Sequence, residues 1–197
     1  MLLSPDFADA LTFAAHLHGA QTRKGGNVPY VAHLLCVAGL VLEYGGTEDE
    51  AIAALLHDAM EDQGGRPTLE RIRRRFGSTV ADIVEACSDA DVVPKPDWHP
   101  RKEAYIVHVG RASASARLVS AADKLHNATA IFRDYRHLGD ELWKRFTGGK
   151  DGTLWYYRSL VDAYKAAGPH PIVDVLERVV SELEAEVSRE SYPAGRH

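Results

Sequence analysis

Ala51-Ile52-Ala53-Ala54-Leu55-Leu56-His57-Asp58-Ala59-Met60-Glu61-Asp62 is the stretch that decides the fold. Its first half is an apolar run without the alternation of a strand, as expected for a helix facing the core. Thr47 to Glu50 spells a capping box in front of it, so a helix is expected to start there and to run through about Met60. Gly45-Gly46 ends the helix before it. The run then meets His57 and Asp58, two ionisable residues where the chain is otherwise apolar. Burying such charges is costly unless something pairs them, and a divalent cation is a suitable partner. Glu61 is four residues beyond His57 and Asp62 four beyond Asp58, so each carboxylate should stack one turn along the face of its partner.

Working outward, helical spacing recurs almost throughout, as in Phe7, Leu11, Ala14 and Ala15, and again in Leu34, Val37, Ala38 and Val41. Ser4-Pro5 opens the first helix. Thr68 should cap a helix ended by Gly77, and Ser78 should start another reaching about Cys87. Ala90 to Pro100, with Pro94, Pro96 and Pro100, reads as a loop. Helices are expected over Arg101 to Val109, Ala114 to His137, Gly139 to Phe146 and Thr153 to Ala167. Gly168-Pro169 and Pro171 set off a last amphipathic helix, Ile172 to Val187. The expectation is an all-α, compact multi-helix bundle with a C-terminal helix, divided into a body of residues 1–168 and a helix with its tail at 169–197.

A length of 197 residues suits one core, and 45% hydrophobic with 26% charged residues argues against wholesale disorder. The formal net charge of -5 offers no broad basic field for a nucleic-acid backbone, although a pocket on an acidic protein can still be locally positive. No apolar stretch approaches about 18 residues, and Met1 to Asp9 lacks a basic segment followed by an apolar one. A cytoplasmic protein without membrane partners is expected, and a homo-oligomer is left open. Cys36 and Cys87 sit among apolar residues and are expected to be buried free thiols.

The cation would need more ligands than His57 and Asp58. Asp123 follows the apolar stretch Leu118 to Ala122, with Asn127 one turn later, and His33 lies on the helix beginning near Pro29-Tyr30. His33, His57, Asp58 and Asp123 together offer two imidazoles and two carboxylates and no sulfur. Such a set suits Mn, Fe or another six-coordinate divalent ion with positions left for water better than a closed zinc site. The other histidines, His16, His18, His99, His108, His126, His137, His170 and His197, are expected to be ordinary hydrogen-bonded residues.

His33, His57-Asp58 with Glu61-Asp62, and Asp123-Lys124-Leu125-His126-Asn127 together resemble the HD-domain phosphohydrolases. Arg23-Lys24-Gly-Gly-Asn-Val-Pro-Tyr30 narrows the resemblance to the hydrolase domain of the Rel/Spo alarmone enzymes. With no synthetase region following, the chain is most similar to the stand-alone small alarmone hydrolases. The resemblance covers about residues 5 to 165. It implies Mn-dependent removal of the 3′-pyrophosphate from a purine nucleotide such as (p)ppGpp or (p)ppApp. Carried over by matched position, His33, His57, Asp58 and Asp123 hold one metal ion. Glu61 and Asp62 handle protons, Arg23 and Asn127 contact sugar and base, and Lys24 reaches phosphate.

Arg101, Lys102, Lys144, Arg145 and Lys150 are further phosphate candidates, and Tyr156 in Trp155-Tyr156-Tyr157 is a candidate for ribose or base. Cys87-Ser88-Asp89-Ala90-Asp91 stands where the family usually carries Thr-Asp-Asp, so the purine could be guanine or adenine. A nucleotidase or cyclic-nucleotide phosphodiesterase on the same scaffold, and a non-catalytic alarmone-binding module, are the alternatives.

Overall fold

The computed structural model describes residues 2–89 and 96–191. Nine α-helices are found among them: α1 Pro5–Leu17, α2 Val31–Glu43, α3 Glu48–Leu56, α4 Ala59–Asp62, α5 Arg66–Cys87, α6 Trp98–Arg111, α7 Ala114–Leu138, α8 Gly149–Ala167 and α9 Pro171–Ser191. The segment Gly139–Arg145, expected as an α-helix, is a 3-10 helix. The all-α expectation holds, with an isolated antiparallel bridge between Thr22 and Pro29 as the extended pairing among the described residues.

The helix starts follow the chemistry of their first residues. Ser4 caps α1 by accepting from the Asp6 amide, with Pro5 just inside, and Thr47 and Glu50 form the reciprocal capping box of α3. Other boundaries moved. The helix expected to run through Met60 stops at Leu56, turns at His57-Asp58, and resumes as the short α4. Asp58 has φ -93 and ψ -3, at the edge of the right-handed helical region and in a conformation common at functional turns. Thr68 does not cap a helix, because α5 already begins at Arg66 and the Thr68 hydroxyl donates instead to the Gln63 carbonyl. The two helices expected on either side of Gly77 form one element kinked there, with Gly77 at φ 90 and ψ 170.

The loop expected to reach Pro100 ends earlier. Helix α6 starts at Trp98 and takes Pro100 into its first turn, where a missing amide proton leaves no helical bond unmade. Ala90, Asp91 and Pro94 of that loop, and His197, lie outside the described residues. Helix α8 begins at Gly149 rather than Thr153. Cys87 is half-buried, but Cys36 is exposed, contrary to expectation. Helix α2 is apolar on every side, so its outward face carries Cys36 beside the exposed Leu35.

Helix α2 packs on α3 and α7, and α3 packs on α5 and α7. These contacts bring the residues 33, 57–58 and 123 to one place. Helix α9 lies on α7 and α8. Its Ile172, Val173, Leu176, Val180, Leu183 and Val187 join the same apolar core as Leu34, Leu55, Leu56 and Val119. No helix among the described residues is long and apolar enough to cross a membrane.

Candidate metal centre

His33 on α2 and His57 at the end of α3 are both buried, and their Nε2 atoms face carboxylate oxygens without a well-aligned hydrogen bond. An orphaned buried nitrogen is unfavourable, so two of them aimed at a pair of carboxylates call for a third party. Asp58 Oδ2 lies 2.9 Å from His57 Nε2 and 3.6 Å from His33 Nε2. Asp123 Oδ1 lies 3.2 Å from His33 Nε2 and 3.6 Å from His57 Nε2. His33, His57 and Asp58 offer ligating atoms all within 4.8 Å of one another, and Asp123 completes a ring in which each carboxylate reaches both imidazoles. The donor set is nitrogen and oxygen only, which fits a divalent cation of intermediate hardness.

The surrounding groups orient the four. His57 Nδ1–H donates to the Ala54 carbonyl at 2.8 Å, which turns Nε2 toward the carboxylates. His33 Nδ1 lies 2.8 Å from His126 Nδ1. Burial, with the charges of His33 and Arg23, pushes His126 down to about 4. The Tyr30 hydroxyl donates to Asp58 Oδ2 at 2.6 Å. Lys124 Nζ donates to Asp123 Oδ2 at 2.7 Å, and the Asn127 side-chain amide donates to Asp123 Oδ1.

Electrostatics run the same way. Burial alone would raise Asp123, but Lys124 and the two histidines outweigh it and hold the carboxyl well below the usual range. Burial is likewise outweighed at Asp58 by His57 and His33, so both carboxylates stay ionised. His57 is held well above the usual histidine range, since the two carboxylates overcome a burial that opposes its charge. Positive charge is therefore favoured at this point of the interior.

The remaining expected residues fall into two groups. Arg23 donates to Asn127 Oδ1 at 2.6 Å and lies over the Tyr30 ring, which joins the Arg23 loop to Asp123. Arg145 stands against the same loop. A Cβ at Gly25, which has φ +78, would fall 2.6 Å from the Arg145 guanidinium carbon, so this approach requires glycine. Lys24 is exposed. Asp62 accepts from Gln21 Nε2 at 2.8 Å, and Glu61 is half-buried on the same short helix.

Lys102 is held by Asp89 together with Arg101, and its ammonium lies 4.8 Å from the Tyr156 ring centre. Tyr156 is only 5% exposed and its hydroxyl is a buried atom without a partner. Burial pushes that hydroxyl up to about 12. Its ring thus belongs to the core rather than to an open aromatic wall. Lys150 pairs with Asp140, and Lys144 with Glu141, along the 3-10 segment. Tyr30, Lys124, His126, Gln21 and His18 had been given no role. The available signals were Tyr30 three residues before His33 and a lysine directly after Asp123.

Comparison with known proteins follows the same outline. The model of the HD domain family matches residues 10–154. The chain is 39% identical over 138 residues to the guanosine-3′,5′-bis(diphosphate) 3′-pyrophosphohydrolase MESH1 of Xenopus tropicalis, a match covering 68% of this chain and 72% of that one. The corresponding pyrophosphohydrolase of Aquifex aeolicus is 32% identical over 123 residues, which are 62% of this chain and 17% of that protein. A solved structure described as a metazoan ortholog of SpoT that hydrolyzes ppGpp superposes with a TM-score of 0.76 at 25% identity, covering 95% of this chain and 99% of the other. A Listeria monocytogenes protein superposes with a TM-score of 0.68 at 29% identity, covering 76% and 96%.

Proposed function

The chain belongs to the HD domain family, and from that premise we propose that it hydrolyses the 3′-pyrophosphate of a purine alarmone, (p)ppGpp or (p)ppApp, releasing pyrophosphate. The observation that carries the reading is the pair of orphaned imidazole nitrogens of His33 and His57 facing the carboxylates of Asp58 and Asp123. In this reading those four residues hold one Mn ion. When bound, such an ion supplies Lewis acidity that activates water as a nucleophile and offsets phosphoryl charge.

The chain's own side chains do the rest. Glu61 takes the proton of the attacking water, and Asp62, exposed to solvent, takes up a proton there and passes it to the leaving side. Arg23 stacks its planar guanidinium on the purine, while Asn127, which already bridges Arg23 and Asp123, binds the ribose. Lys24, Lys102, Arg145 and Lys150 meet the phosphates. Lys102 and Lys150 must first leave Asp89 and Asp140, and Tyr156 backs Lys102 from the core. Residues 1–168 act as the hydrolase and 169–197 as an appended helix that buttresses it. The substrate is a free nucleotide, in keeping with a net charge of -5 that suits no nucleic-acid backbone.

A substrate panel under Mn tests this reading. Pyrophosphate release from a guanosine or adenosine 3′-pyrophosphate is expected, with loss of about a thousandfold or more in Asp58→Ala and Asp123→Ala. Turnover of cyclic nucleotides or deoxynucleotide triphosphates in its place would reassign the enzyme. Tight binding of the alarmone with no turnover would make it a binding module.

A further inference from the structure

His18, His33 and His57 are the buried histidines among the described residues. Two of them face the metal centre, and the reaction gives the third no part. From the bonds around it we infer that Gln21 is a positioning residue for Asp62, with its amide oriented by the buried ring of His18. The inference rests on the proposed reading in one respect, that Asp62 handles a proton.

The orientation follows from donor and acceptor chemistry. An ionised carboxylate only accepts, so the group of Gln21 that lies 2.8 Å from Asp62 Oδ2 must be its NH2. The Gln21 oxygen then faces the other way, where His18 Nδ1 and Gln63 Nε2 each lie at 2.7 Å. Both must donate. A flipped amide would set oxygen against carboxylate oxygen, so Asp62 fixes which way the Gln21 amide lies. This orientation requires the Nδ1–H form of His18.

Both ends of this relay are held. The His18 ring stacks on Tyr30 with centroids 5.3 Å apart and planes 18° off parallel, and the same Tyr30 donates its hydroxyl to Asp58. The Gln21 carbonyl accepts from the Tyr30 amide at 2.9 Å, at the foot of the bridged loop that carries Arg23 and Lys24. Asp62 by contrast is exposed at the end of a helix of one turn. Left alone, its carboxylate would sample several rotamers. Tied to Gln21, it keeps a fixed place relative to Asp58 and the Arg23 loop, and a carboxylate in a fixed place is the more effective at taking up a proton and passing it on.

The test compares Gln21→Leu, Gln21→Glu, His18→Asn and His18→Leu by steady-state kinetics, by Mn calorimetry and by ¹⁵N spectra of the imidazoles in metal-free protein. Gln21→Leu should lower kcat about tenfold while KM and the Mn dissociation constant stay within about twofold, since geometry and not binding is lost. Gln21→Glu, which sets a second carboxylate against Asp62, should lose more. His18→Asn, whose amide N–H stands in for Nδ1–H, should keep more rate than His18→Leu. The wild-type spectrum should show His18 as the Nδ1–H tautomer, and Gln21→Leu should disturb it.

A Gln21→Leu enzyme with the wild-type kcat, or a His18 in the Nε2–H form, overturns the inference. A wild-type protein that releases no pyrophosphate overturns the proposed activity and with it the role of Asp62. In that case the ¹⁵N spectra still decide the His18–Gln21 arrangement separately.

Discussion

Tyr30 joins three parts of the site: its hydroxyl holds Asp58, its ring supports His18, and Arg23 lies over it. Removing the hydroxyl frees Asp58 Oδ2 without opening the core, so Tyr30→Phe should weaken Mn binding about tenfold, as measured by calorimetry, with an unchanged circular dichroism spectrum. Asp89 allows a second test. Burial would raise its carboxyl, but Lys102 and Arg101 hold it below the usual range. A depressed folded value means that the stabilisation is complete above the unfolded pKa of about 4 and is lost as pH falls through the folded one. Asp89→Asn should therefore cost about 2–3 kcal/mol at neutral pH, because Arg101 and Lys102 lose their shared partner. Its urea midpoint should also decline less steeply than the wild type below about pH 4. His57, Asp58 and Asp123 were legible in the sequence because each ends an apolar run, where an unpaired charge is out of place. Gln21 was not, because Asp62 and Gln63, which it meets, come from another segment of chain and no local pattern marks it.

At the scale of elements, stop signals were read better than continuity. Gly77 marked a real discontinuity in α5, and the capping box at Thr47 marked a real start, since each depends only on its own neighbours. The break after Leu56 was hidden because His57 and Asp58 keep right-handed dihedrals and the Asp62 amide still bonds to the Asp58 carbonyl at 2.9 Å. Spacing by four survives this turn, but the end of α4 swings Asp62 out to Gln21. The kink at Gly77 can be tested directly. At φ 90 and ψ 170 a β-carbon is strained even with open space around it. Gly77→Ala should lose about 2 kcal/mol in urea denaturation while Mn affinity is kept. A loss below about half a kcal/mol would mean that α5 straightens at no cost.

For the molecule as a whole, the question is whether α9 is a passenger or part of the structure that holds the centre. The proline and glycine punctuation before it sets it off from the body, and sequence pattern alone does not say what its apolar stripe covers. That stripe lies on α7, the helix that carries Asp123, and on α8. Leu176 and Leu183 are fully buried there in the same core as the apolar residues of α2 and α3. One core implies one transition, since α9 cannot leave without exposing the outer side of α7. Truncation of either leucine should cost about 3 kcal/mol, a fall of roughly 6–12 °C in Tm for a chain of this size. Scanning calorimetry of Leu183→Ala should show that fall in a single peak, and Mn affinity measured well below Tm should match the wild type, because α9 supplies no ligand. An early separate transition, with the main peak unmoved, would instead make α9 an independent attachment and leave α7 stable without it.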